Sequence, residues 1–271
     1  MKNLKFILVL IFGFLSSSCN LDEDPIFLDA TLYDNPDSAA AALDGIYQKL
    51  TTYDSMERRY WVINGFSGLF VTHRQGNSVN NPHNSSLMAL NPIQDQVSEA
   101  FWRGLYGAIA QTNAAIENIT VVENPITNDE LLFSDIKGQA YFVRAWAYFD
   151  LTRLFKDIPL WTELPDENNL NKAKSTTKEV YAQVISDAKM AASLINGKSG
   201  TGYPKQYAAN MLLAKLYMAL ATNPDLREES LTEMDYWQMA FDEAIKVYGQ
   251  YSLVADYSSI FTDSNENNSE S

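Results

Sequence analysis

Gly138-Gln139-Ala140-Tyr141-Phe142-Val143-Arg144-Ala145-Trp146-Ala147-Tyr148-Phe149-Asp150-Leu151, wound as a helix, is apolar on almost every side. Ile136, Ala140, Val143, Ala147, Leu151 and Leu154 recur at the helical period, while Tyr141, Phe142, Trp146, Tyr148 and Phe149 fill the flanks. A helix of that kind lies between neighbours, because no flank of it is suited to water. The pattern predicts a helix from Asn128 or Ser134 to about Phe155, with Pro159 and Pro165 ending the run.

The same period recurs on both sides. Upstream, Trp102, Leu105, Ile109, Thr112, Ile116 and Ile119 form one stripe from Glu99 onward, and Leu43, Ile46, Tyr47 and Leu50 form another after Pro36, with Asp37 or Ser38 as its cap. Downstream, Thr176 and Glu179 have capping-box spacing, and Tyr181, Val184, Ala188, Ala191 and Ile195 follow on one face. Gly197, Gly200 and Gly202 interrupt the chain. Helices are then predicted over about Pro204 to Ala221 and Met234 to Tyr248, the last using Trp237, Ala240, Phe241, Ala244, Ile245 and Tyr248. No segment alternates long enough to demand a sheet, so the fold class is all-α.

Ala145-Trp146-Ala147-Tyr148 and Ala214-Lys215-Leu216-Tyr217 echo each other as Ala-x-x-Tyr. A small residue lets two helices approach, and a Tyr one turn later fills the space beside it. That is the packing logic of tetratricopeptide-like helix pairs, although a generic helical bundle satisfies the same pattern.

Residues 57–98 break the pattern as an irregular, loop-rich segment. Both histidines, His73 and His83, lie here with Gly65, Gly68, Gly76, several Asn and the aromatics Tyr60, Trp61, Phe66 and Phe70. Aromatic faces stack on the C–H face of a sugar, and Asn, Arg and His bond its hydroxyls. Tyr60, Trp61, His73, Arg74 and Asn77 are therefore the candidate ligand-binding residues. The alternative is that these aromatics fold back into the core. No hydrolase, zinc-protease, phosphate-loop or dinucleotide motif occurs. No catalytic residue, metal ligand or cofactor is assigned.

The chain has 271 residues, 20 Lys+Arg against 34 Asp+Glu, and a net charge of −14. That charge disfavours a nucleic-acid partner. Lys2 and Lys5 precede an apolar run of ten, Phe6 to Leu15. A spanning helix needs about 20 residues, so residues 1–18 read as a signal peptide. Ser16-Ser17-Ser18 lead to Cys19, the only cysteine, which excludes an internal disulfide. The arrangement resembles a lipoprotein signal with Cys19 as the acylated residue. An ordinary secretory signal is the alternative. Residues 19–36 form an acidic tether that opens Asn20-Leu21-Asp22-Glu23-Asp24-Pro25. It resembles the surface-export signal of lipoproteins in Bacteroidota, and it also reads as a solvated spacer.

From end to end, these segments resemble the SusD/RagB family of nutrient-binding outer-membrane lipoproteins. The resemblance rests on Leu43-Asp44-Gly45-Ile46-Tyr47 and on Phe101-Trp102-Arg103-Gly104-Leu105-Tyr106-Gly107-Ala108-Ile109 with Asn113. It continues through Gly138 to Leu151, similar to the family's Ala-x-x-x-Arg-Ala-x-x-Tyr-Phe-x-Leu helix, and Ile158-Pro159-Leu160. Val180-Tyr181 with Ile185 and Asp187, Ala208-Ala209 through Leu216-Tyr217, and Tyr251-Ser252-Leu253 before Ile260-Phe261 complete it. Lys156-Asp157 departs from the family, where a Gly commonly precedes the Ile-Pro-Leu step.

The resemblance implies a SusD-like helical domain over residues 37–271 with tetratricopeptide-like pairs. It implies capture of a glycan or oligosaccharide, with peptide possible, and no chemistry. It implies delivery to a SusC-type TonB-dependent transporter, with the protein lipid-anchored in the outer membrane and facing the cell exterior. The alternative function is a tetratricopeptide-type scaffold lipoprotein binding only protein partners; a surface glycosidase is a minor third. Family members run to about twice this length. The chain is therefore expected to be the N-terminal portion of such a fold, with the C-terminal half absent and apolar helix faces left exposed.

Overall fold

Helices carry most of the chain that the computed structural model describes, namely residues 30–52, 56, 59–67, 96–165 and 171–262. In order they are α1 (Pro36–Leu50), α2 (Arg59–Ser67), α3 (Gln96–Asn118), α4 (Asn128–Phe155), α5 (Thr177–Leu194), α6 (Gln206–Thr222) and α7 (Glu233–Val247). Between α4 and α5, strands β1 (Ile158–Pro159) and β2 (Lys174–Ser175) pair antiparallel with Ile158 opposite Ser175. The all-α expectation holds, since this two-residue ribbon is the only sheet among the described residues.

Local sequence sets the helix starts. Thr127, Thr176 and Thr232 each accept a backbone N–H three residues on, while Glu130, Glu179 and Asp235 reach back to the threonine N–H. These capping boxes satisfy donors that a helix cannot bond internally. The first of them starts α4 at Asn128, not Ser134. At α1 the cap is Asn35, whose side chain accepts from Ser38 N at 3.0 Å, rather than Asp37 or Ser38. Pro36 explains the shift: it has no N–H to satisfy and its fixed φ suits the first helical position.

Helices adjacent in sequence pack against one another from α3 to α7, and α1 lies against α3 and α4. The Ala-x-x-Tyr echoes sit where the pairs meet. Ala145 and Tyr148 are fully buried in α4, and Tyr217 of α6 lies beside Tyr236 of α7 with ring centroids 6.5 Å apart. Gly138 sets the closest approach. A Cβ there would stand 2.8 Å from Ile195 N and 2.9 Å from Leu194 Cβ, so only glycine lets the end of α5 cross α4 this closely.

Four expectations are corrected. Within the stripe of α3, Trp102 and Ile116 are only half-buried, and Phe101, Ala108 and Ala115 take the inner positions instead. Leu154 is 38 % exposed at the end of α4. In α7 only Tyr236 and Ala240 are buried, with Met239 and Ala244 half-buried, while Trp237, Phe241, Ile245 and the C-cap Tyr248 are exposed. The segment 57–98 is not wholly irregular: Arg59–Ser67 is helical and Gln96 begins α3. Residues 68–95 lie outside the described residues.

Candidate ligand-binding site

Helix α2 stands against α3 through Ile63, which is buried. Its neighbour Tyr60 is half-buried, with its ring 6.4 Å from Phe101 of α3 and 6.3 Å from Trp146 of α4. Trp61 stands edge-on to Tyr60 at 5.8 Å and 85° and is 68 % exposed. A large aromatic held by a seated neighbour and left open to water is the arrangement a sugar face can stack on. Of the sequence-nominated residues, Tyr60 packs toward α3 and α4 and its chain neighbour Trp61 faces water. His73, Arg74 and Asn77 lie outside the described residues, as does Cys19.

Sequence reasoning missed the groups beside this pair. Asp150 is buried, with its Oδ1 3.3 Å from Nη1 of the exposed Arg153 and its Oδ2 without a hydrogen-bond partner. Burial pushes the Asp150 carboxyl up to about 6, against the lowering pull of Arg153 and Lys215. The Tyr60 phenol is also raised, first by burial and then by the Asp150 charge, with Arg153 opposing. Arg153 in turn lies over the Phe149 ring at 5.1 Å. Trp146, Asp150 and Arg153 share one side of α4. The apolar surroundings of that helix hide them in the sequence.

The residues that carry the family resemblance do different work. Arg144 donates to both Asp187 oxygens at 2.7 and 2.8 Å, to Asn113 Oδ1 at 2.9 Å and to the Thr162 carbonyl at 3.1 Å. Asn113 donates to the carbonyls of Trp161 and Glu163, and Tyr106 to that of Pro159. The Tyr148 hydroxyl donates to Trp161 O and accepts from Trp161 N. This buried network ties α3, α4 and α5 to the segment 159–163, so the motif is a structural clasp.

Three concavities lie elsewhere: about 290 Å³ between α5 and α7, about 380 Å³ beside Leu32 and Gly45, and about 510 Å³ around Asn196 and Tyr203. Tyr60 and Trp61 line none of the three. Among the described residues no cluster of His, Cys, Asp or Glu is arranged to hold a metal ion, and no helix is long and apolar enough to cross a membrane.

Residues 46–218 match the model of a SusD-like family described as starch-binding and associating with the outer membrane. The chain belongs to this SusD-like family. It is 26 % identical to SusD-like protein P25 of Formosa agariphila over 99 % of this chain and 50 % of that protein. It is 24 % identical to a SusD-like protein of Bacteroides ovatus over 98 % of this chain and 48 % of that one. Among solved structures, a laminarin-binding SusD-like protein superposes with a TM-score of 0.67 at 23 % identity, covering 87 % of this chain and 50 % of that one. A SusD superfamily protein of Parabacteroides distasonis gives 0.67 at 22 % identity, covering 86 % and 49 %. At such identities the structures show a shared fold. The SusD-like chain spans about half the length of the curated relatives it matches.

Proposed function

We propose that this SusD-like chain is part of a cell-surface lipoprotein that binds glycans without chemistry and delivers them to a SusC-type TonB-dependent outer-membrane transporter. The observation that carries the reading is Trp61, an exposed indole held beside Tyr60 in a chain whose family is described as starch-binding. Stacking there supplies affinity without a nucleophile or an acid–base pair, which suits capture and release. His73, Arg74 and Asn77 would add hydrogen bonds to hydroxyls. Cys19 would carry the lipid that holds the chain on the outer membrane, facing the exterior, with the acidic tether as spacer.

Calorimetric titration against a panel of oligosaccharides that includes laminarin fragments tests this. At least one should bind, and Trp61→Ala should weaken it by about 1–3 kcal/mol, as for loss of an aromatic stacking partner. Saturation unaffected by Trp61→Ala would remove the site, and no saturation with any glycan would favour a protein-only scaffold. In a producing cell, Cys19→Ser should release the chain from the membrane fraction. Persistence there would sink the anchor.

A further inference from the structure

Arg153 has most of its hydrogen-bonding capacity unspent. Its side chain is 51 % exposed, and its hydrogen bond among the described residues runs from Nη1 to Asp150 Oδ1, long at 3.3 Å. A guanidinium and a carboxylate commonly pair as a fork of two parallel bonds. Asp150 does not take that fork, since its Oδ2 is buried without a partner. The Nε–Nη2 edge of Arg153 therefore keeps two parallel N–H groups that no described residue accepts. The Phe149 ring, 5.1 Å from the guanidinium carbon, supports one face of the group. The Tyr60 phenol feels the charges of both Asp150 and Arg153, which places them beside the Trp61 platform.

Two cations act on this one buried carboxylate: Arg153 on its own helix and the exposed Lys215 of α6. The net charge of −14 repels anions at long range, but salt at 0.1 M screens charges beyond about 10 Å, so nearby groups decide. We propose that Arg153 selects acidic sugars at the Trp61 platform, its Nε–Nη2 edge receiving the planar carboxylate of a uronic acid while a sugar ring stacks on the indole. Asp150 is the positioning residue: it holds Nη1 and leaves the other edge free. The inference rests on glycan capture at Trp61 and names the class of glycan. A lysine at this position would bring a point charge without the fork.

Calorimetric titration with uronic-acid oligosaccharides from pectin and alginate, each beside its carboxyl-reduced counterpart, tests the proposal. At least one acid should bind about tenfold more tightly than its reduced form, the gain expected of a charge-assisted hydrogen-bonded pair. Arg153→Gln should abolish that preference, and Arg153→Lys should recover only part of it. Should Arg153→Gln lower the thermal melt by stranding Asp150, Asp150→Asn with Arg153→Gln carries the same expectation. In the wild type the preference should grow from pH 7 to pH 5. Asp150, which faces Arg153, Lys215 and Tyr60, has its carboxyl pushed up to about 6 and loses its competing charge over that interval. Acid and reduced forms that bind alike, or a preference that survives Arg153→Gln or does not grow toward pH 5, would overturn the inference. The platform itself would stand in that case if Trp61→Ala weakens both forms. Failure of every sugar, acidic or neutral, would overturn glycan capture and this inference with it.

Discussion

Arg144 and Asp187 are 3 % and 1 % exposed, so their pairing trades two solvation shells for one bidentate bond and the partners around it. Asp187→Ala should strand the guanidinium and cost about 3–5 kcal/mol in urea unfolding, whereas Arg144→Met with Asp187→Leu should cost far less. Equal losses would mean that the pair acts by packing alone. Lys156 is a second instructive residue. It caps α4 at φ 65, a backbone conformation that glycine adopts without the steric cost a side chain brings. Lys156→Gly should therefore raise stability by about 1 kcal/mol, read as a higher denaturation midpoint. Asp150 works in the opposite sense to most carboxylates. Its folded pKa of about 6 exceeds its ordinary value of 3.8, so its contribution is full below pH 4 and is lost as pH rises through 6. Over that window the wild type should lose about 3 kcal/mol relative to Asp150→Asn. A constant difference between the two proteins from pH 4 to 7 would show that the carboxyl titrates normally.

The helices of this chain were legible in the sequence to differing depth, and the physical reasons differ. The Thr176 box could be read from two residues because a capping box is a local device. The boxes at Thr127 and Thr232 are equally local, but the first competes with Ser134 and the second uses Asp where Glu or Gln is usual. Helix α4 was clear because it is apolar on nearly all sides. Helix α2 was not: Gly65 and the nearby loop residues outweigh nine residues that tertiary contact with α3 makes helical. Of the site, Tyr60 and Trp61 were legible as aromatics in a polar, glycine-rich stretch. Asp150 and Arg153 were not, since only the fold brings α4 beside α2. Nor does composition reveal that the motif spanning Asn113, Arg144, Tyr148 and Asp187 is a clasp and not a binding surface.

For the molecule as a whole, α7 and its C-cap residue present water with Trp237, Phe241, Ile245 and Tyr248, which are between 38 % and 82 % exposed. Contiguous apolar surface of this kind promotes association. Phe241→Lys with Tyr248→Lys should shift the chain toward monomer in sedimentation at high concentration while leaving its helical circular dichroism unchanged. A wild-type chain that is already monomeric under those conditions would contradict this. The charge of −14 works against association, so the effect should grow as salt screens it.

The pairing of each helix with the next one along the chain bears on how the structure forms. Closing a loop between neighbours costs less entropy than bringing together distant segments, so α3 through α7 can add one after another, with the starts of α4, α5 and α7 set by their own capping boxes. The first helix is different. It is held by Tyr47 donating to Gln139 across 92 residues and by Tyr203 donating to Asp44 across 159. Those long closures pay off only once the later helices are in place. Helix α1 therefore docks only once α4 is in place, and its bond to Tyr203 comes later still.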